Sequence, residues 1–360
     1  MMKTLFHGHG RYCPHLACRG LLLTAVLLPL PATAGEAPAA SGDQHDVVFT
    51  DYSPLSRSSE LVRRLLSPLN ALRVDQAAMR PGDALREQPL DLAQEKFAIH
   101  VPVNKPPHGY ALLVFVPPWT EASVPSAWTT TLDGHGTIYV SAANSGNDAD
   151  VLDRRVPLAL LAAWNIMRRY PVDPQRVYIG GFSGGSRVAE RIALGYPDLF
   201  HGVLLMAGSD PIGSAQLTLP AADLFRQFQD STRVVYVTGQ NDAFHLDMDS
   251  HSQQSMHDWC VFHVDTVPVP WTGHDLPGPT PLGRALNLLD KPAQANTDKL
   301  ARCRAGIDNS LNTRLQQTEN LLAGGKPDRA QALLEKIDAH YGGLAAPRST
   351  GLAEKIAATH

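Results

Sequence analysis

The chain has 360 residues, 44% of them hydrophobic and 18% charged, with a formal net charge of -4. That is enough apolar material for a large core, so neither disorder nor a coiled coil fits. No long basic run appears, which excludes the electrostatic footprint of a nucleic-acid binder.

Residues 1–34 read as an export signal. Lys3, Arg11 and Arg19 supply a positive start, residues 21–30 an apolar stretch, and Ala32-Thr33-Ala34 a small-x-small cleavage pattern before Gly35. Pro29 and Pro31 interrupt the apolar stretch, well short of the roughly 20 residues a spanning helix needs. The expectation is a secreted or periplasmic protein with no integral membrane segment once the signal is removed. Cys13 and Cys18 leave with the signal. Cys260 and Cys303 remain, a pair suited to a disulfide in an oxidising compartment. Two buried free thiols are the alternative.

Residues 35–56 are rich in Ala, Ser, Gly and Asp and read as a flexible start to an N-terminal lead-in over 35–94. Leu61, Leu65, Leu66, Leu69 and Leu72 share one side of a single helix expected over 60–72. Residues 73–93 are polar, with a turn at Pro81-Gly82. From Lys96 the pattern changes to strands. Residues 96–103 alternate, 110–116 are almost continuously apolar, as in a strand buried on both faces, and 137–142 follow. A helix over 156–170 stops at Pro171. A strand over 176–181 runs into a helix over 184–195, with further strands over 203–207, 234–238 and 261–269. Strands alternating with helices predict an α/β fold over 95–290: a mainly parallel central sheet with helices on both faces.

Beyond Lys291, Leu300, Cys303, Ile307, Leu311, Leu315 and Leu322 fall on one helical stripe. Gly324-Gly325-Lys326-Pro327 breaks it, and Ala332, Leu333 and Ile337 mark a second helix over 328–341. A short third helix lies near Leu352. This C-terminal helical hairpin, 291–360, resembles one tetratricopeptide-type unit, and a single unit makes no solenoid. A helical cover packed on the main domain is the expectation. A protein contact through its outer face is the other reading.

Gly181-Phe182-Ser183-Gly184-Gly185 matches G-x-S-x-G between a β-branched strand and a helix. That setting is what a nucleophile elbow requires, because small residues must flank a serine on so tight a turn. A Gly-rich turn with an ornamental serine is the plainer reading. A serine hydroxyl needs a base, and the base needs an orienting acid. In this topology they follow in the order Ser, Asp/Glu, His, each after a later strand. Asp242 is the first carboxylate past the 234–238 strand, ahead of Asp247 and Asp249. His274 follows the last strand. His263 lies within that strand, and His245, His251 and His257 precede it, so the chain order disfavours them.

Stabilising an oxyanion takes two fixed donors. One is expected from the backbone N–H of Gly184. The other should come from Pro117-Pro118-Trp119-Thr120. Prolines have no N–H, so Trp119 is the first candidate and Thr120 the second. There is no CxxC, HExxH or G-x-x-x-x-G-K[ST] pattern. The acidic loop over 144–150 lacks the twelfth-position Glu of a calcium loop, and reads as a solvated or substrate-facing loop. No metal and no cofactor are expected.

Val172-Asp173-Pro174-Gln175-Arg176-Val177-Tyr178-Ile179 leads into the Ser183 elbow, and Gly273-His274 is followed by Leu276-Pro277-Gly278. With these segments, residues 95–290 resemble the secreted α/β-hydrolase-fold esterases grouped with polyhydroxybutyrate depolymerases and feruloyl esterases. The resemblance implies hydrolysis of a small-molecule or oligomeric carboxylic ester through an acyl-enzyme, without a metal or organic cofactor. One departure is that Pro117-Pro118 stands where those esterases usually carry His-Gly. Two other readings compete. A serine peptidase would use the same triad, with Asp210 as the anchor for a peptide terminus. A non-catalytic binding protein would use the C-terminal helices. Trp119 and Trp271 are candidates for the walls of a substrate pocket, and equally for core.

Overall fold

The computed structural model describes residues 40–80, 82, 84–293 and 297–359; the export signal expected over 1–34 lies outside them. Among the described residues, eight strands form one sheet: β1 (Gly42–Val48), β2 (Lys96–Val101), β3 (Tyr110–Val116), β4 (Thr137–Ala142), β5 (Val172–Phe182), β6 (Gly202–Met206), β7 (Arg233–Gly239) and β8 (Val264–Val269). Their spatial order is β1-β2-β4-β3-β5-β6-β7-β8. β2 is antiparallel to both neighbours, and the strands from β4 to β8 pair in parallel. This order, with its single antiparallel second strand, is the α/β-hydrolase fold.

Every residue of β3, β4, β6 and β7 is buried, as parallel strands covered on both faces must be. Side chains alternate between two cores. Leu112, Val114, Ile138, Val140, Ile179, Val203 and Tyr236 enter one, and Leu113, Phe115, Tyr139, Tyr178, Leu204 and Val235 the other. Parallel pairing requires crossovers. Ahead of them in the chain lie α1 (Ser58–Leu65) and α2 (Pro68–Ala78). The crossovers are α3 (Thr129–His135), α4 (Val156–Arg169), α5 (Gly184–Gly195), α6 (Ala222–Ser231) and α7 (Ala243–Asp258), and α8 (Pro279–Leu289) follows β8. α4 and α5 pack on the first core, α3 and α8 on the second.

Two expectations for the lead-in are overturned. Residues 42–48 are a strand, β1, paired with β2. The single helix over 60–72 is two helices, α1 and α2. Leu66 and Ser67 are extended, with ψ of 152° and 155°, because Pro68 disfavours helical backbone in the residue before it.

The C-terminal segment forms α9 (Thr297–Ala323), α10 (Pro327–Tyr341) and α11 (Arg348–Ala357). Leu311, Leu315, Leu334, Ile337 and Tyr341 turn inward and join the first core. Cys260 and Cys303 are bonded. Asp338 accepts from the Leu69 N–H at 3.0 Å and from the Ser67 hydroxyl. Arg304 donates to Gln229 at 2.6 Å and Asp230 at 2.8 Å. Among the described residues, no large exposed apolar side chain lies on α9–α11. The helices thus pack as a cover on the main domain.

Beneath the ends of β6 and β7 lie two buried carboxyls. Glu190 accepts from the Asp210 N–H at 2.7 Å and contacts the Ser252 hydroxyl at 3.0 Å, which reaches Tyr236 at 2.8 Å. Asp249 accepts from Ser209 and Thr238, both at 2.6 Å. Burial pushes the Glu190 carboxyl well above the ordinary glutamate value. The folded chain therefore holds a proton there that the unfolded chain releases above about pH 4.3. This group's contribution is fully present below that pH and is lost as pH rises toward the folded pKa. Glu190→Gln keeps an acceptor for the Asp210 amide and offers its NH2 to Ser252. Its melting temperature should match wild type near pH 4 and exceed it by a few degrees at pH 8, read by calorimetry. Parallel curves across that range would show Glu190 ionising freely in the fold.

Candidate active site

The site lies at the carboxyl ends of the parallel strands, where open α/β sheets bind ligands. β5 ends at Phe182, and Ser183 follows with φ 55° and ψ -126°. A non-glycine residue at positive φ is held only by its surroundings. Here the Ser183 N–H donates to Met206 O at 2.8 Å, and two glycines make the turn possible. A Cβ at Gly181 would stand 2.4 Å from the Gly185 carbonyl, and one at Gly185 would stand 2.0 Å from the Val116 oxygen.

Asp242 follows β7 and caps α7, accepting from the His245 N–H at 3.4 Å. His274 follows β8. Its Nδ1 is 2.7 Å from Asp242 Oδ2 and its Nε2 is 3.0 Å from Ser183 Oγ. The three residues placed in sequence order thus meet in space. The His274 ring packs against Phe182, 4.8 Å away between centroids, and against His245 at 4.2 Å. Asp242 is buried and His274 is 40% exposed at its side chain. Burial favours a protonated Asp242, but hydrogen bonds from His245 and His274 outweigh it and hold its pKa below the usual carboxylate range.

Gly184 opens α5, so its N–H has no partner within the helix and sits at the positive end of the helix dipole. The Trp119 N–H makes no hydrogen bond among the described residues. The Pro117–Thr120 loop is braced through its carbonyls. Arg155 donates to Pro117 O at 3.0 Å, the Asn147 N–H to Pro118 O at 3.0 Å, and the Asn144 N–H to Thr120 O at 2.6 Å. Burial pulls the Arg155 guanidinium down to about 10, so it stays charged at neutral pH. The Trp119 ring packs against Phe115 and Phe182, with centroids 6.3 and 6.4 Å away.

Other candidates are placed differently. Asp210 is buried and gripped by Arg187 through two contacts of 2.8 Å, so its carboxylate is already paired and does not face a ligand alone. Trp271 is 91% exposed and lies in no core. Two neighbours stand closer to the site than the sequence order suggests, one of them His245, which its place before the last strand disfavours. Asn147 stands over Gly184, where a Cβ would meet its Oδ1 at 2.3 Å. His245 bonds both oxygens of Asp242, at 2.8 and 2.9 Å. Its spacing of three residues from Asp242 at a helix start was the available signal.

No family model matches the chain, and no curated protein matches it. Fold and site geometry define the class: an α/β-hydrolase fold with Ser, His and Asp in hydrogen-bonded series. Among solved structures the chain is similar to an S-formylglutathione hydrolase from Staphylococcus aureus (10% identity, TM-score 0.41, 54% of this chain and 92% of that one). It is similar to Est1E from Butyrivibrio proteoclasticus (16%, 0.40, 55% and 95%). A chain described as a dipeptidyl aminopeptidase IV, from Bacteroides ovatus, is similar at 13% identity and TM-score 0.41 over 54% of this chain, which spans only 33% of that one.

Proposed function

We propose that this protein is an exported serine hydrolase that cleaves carboxylic esters through an acyl-enzyme. The observation that carries the reading is the relay from Ser183 Oγ through His274 to Asp242, at 3.0 and 2.7 Å. His274 takes the Ser183 proton as the hydroxyl attacks the ester carbonyl, then passes it to the departing alcohol. Water, activated by the same imidazole, attacks the acyl-enzyme and releases the acid. Asp242 fixes the tautomer with the proton on Nδ1 and stabilises the imidazolium. The N–H groups of Gly184 and Trp119 receive the oxyanion.

A peptidase would use the same relay. The Arg187 pairing of Asp210 leaves no free carboxylate there to anchor a peptide amine, which favours the ester reading. Export to an oxidising compartment fits the Cys260–Cys303 bond and the composition of residues 1–34.

A fluorophosphonate probe should label wild type stoichiometrically and leave Ser183→Ala and His274→Ala unlabelled. Short-chain aryl esters should turn over faster than aminoacyl anilides. A folded wild-type protein that takes no label rules the reading out.

A further inference from the structure

A triad uses one imidazole on its acid, and Asp242 holds two. His245 lies near the start of α7, its Nδ1 within 2.8 and 2.9 Å of the two carboxylate oxygens. The His274 Nδ1 reaches the same Oδ2 at 2.7 Å. The rings stack at 14° with centroids 4.2 Å apart. One donor atom from each of the three residues lies within 4.8 Å of the others. Both Nδ1 atoms therefore converge on one carboxylate oxygen. A borderline-soft divalent ion binds neutral imidazole and carboxylate together, at about 2.0–2.2 Å. Hard ions such as Mg2+ prefer all-oxygen sites. Asp242 and His245 are largely buried while His274 is open on one side, so an ion can enter from solvent and keep a water.

We infer that Asp242, His245 and His274 form an inhibitory site for Zn2+ and ions like it. The inference rests on the reading of His274 as the base. Stacked rings direct their Nδ1 lone pairs into separate planes, so the ion takes the Nδ1 lone pair of each ring as the two side chains turn toward it about their own torsions. Each neutral imidazole loses its Nδ1 proton to water and gains one at Nε2, so no net charge changes on the rings. For His274 that is the wrong tautomer. Nε2 faces Ser183 Oγ at 3.0 Å and, once protonated, donates to the hydroxyl and can no longer accept its proton. Inhibition follows without movement of any strand. His245 is the residue that separates this site from an ordinary triad.

The test begins with Ser183→Ala protein, so that binding is read apart from turnover. Calorimetric titration with Zn2+ should give one site per chain. Adding His245→Gln, which retains an N–H donor toward Asp242, should weaken it at least the roughly tenfold that even outer-shell partners cost. His245→Phe, which retains a ring against His274, should do the same. His251→Gln, on an exposed imidazole, should not. In the Ser183-containing protein, Zn2+ should slow fluorophosphonate labelling, Mg2+ should not, and His245→Gln should raise the half-inhibitory concentration by the same factor. Equal Zn2+ affinity with and without His245 overturns the inference. Zn2+ binding that depends on His245, in a protein that never takes the label, keeps the metal site and removes the hydrolase reading.

Discussion

Ser183→Ala is expected to lower kcat for an activated aryl ester by about 10⁶-fold, with KM nearly unchanged. The hydroxyl acts only once the carbonyl is in place, so its loss removes transition-state stabilisation and spares ground-state binding. His274→Ala should cost about as much, and the double variant little more, because base and nucleophile act as one unit. Residual activity above water should remain from the Gly184 and Trp119 N–H groups. Asp242→Asn should lower kcat by about 10⁴-fold. There the two imidazoles compete for one carbonyl oxygen, and whichever faces the new NH2 must turn its lone pair to it. If His274 loses that contest, its proton moves to Nε2 and it cannot act as base. Kinetics normalised to folded protein decide the matter: a fall of less than tenfold for Ser183→Ala would mean that another group attacks the ester.

Removing the Cys260–Cys303 bond should destabilise the chain by about 4 kcal/mol, the chain-entropy value for a closed loop of this size. The two cysteines are 43 residues apart in sequence. The bond ties the end of α7 to α9. The C-terminal helices are also held by apolar packing of Leu311, Leu315, Leu334, Ile337 and Tyr341 in the first core, and by polar contacts from Asp338 to Ser67 and Leu69 and from Arg304 to Gln229 and Asp230. A Cys260→Ser/Cys303→Ser double variant, compared with wild type in urea unfolding, reads the difference. Thiol reductant should carry wild type to the variant's midpoint and leave the variant unmoved. Coincident curves for oxidised wild type and variant would mean that the bond does not form in solution, and with it would go one support for export.

Much of this architecture is written in local pattern. β3, β4, β6 and β7 are near-continuous apolar runs because both faces are covered. The elbow is visible because its glycines are forced by close backbone approach at Gly181 and Gly185. The acid and base candidates follow from strand order alone. β1 was illegible because GDQHDVV carries no strand-like pattern and depends on pairing with β2 for its form. The break between α1 and α2 was hidden by a leucine period that runs through Ser67-Pro68. α7 escaped because its apolar residues follow no helical stripe. The partner of Asp210, Arg187, lies on a different element, which no local window brings together. His245 was set aside because chain order ranks histidines by strand, whereas one turn of helix brings it to the same carboxylate.

The two margins of the sheet carry a consequence of their own. β1 breaks register with β2 between Gln44 and Val47, and Asp46 there has φ 52°. At the far margin, β8 holds Pro268, which has no N–H to offer. A straight strand with free donors and acceptors invites another molecule to continue the sheet, and a bulge or a proline at the margin blunts that invitation. An eight-stranded sheet built from such apolar runs could template its own growth in a crowded compartment. Among the described residues the sheet has a kink at one margin and a missing donor at the other, and both blunt the continuation of its hydrogen-bond ladder by another strand.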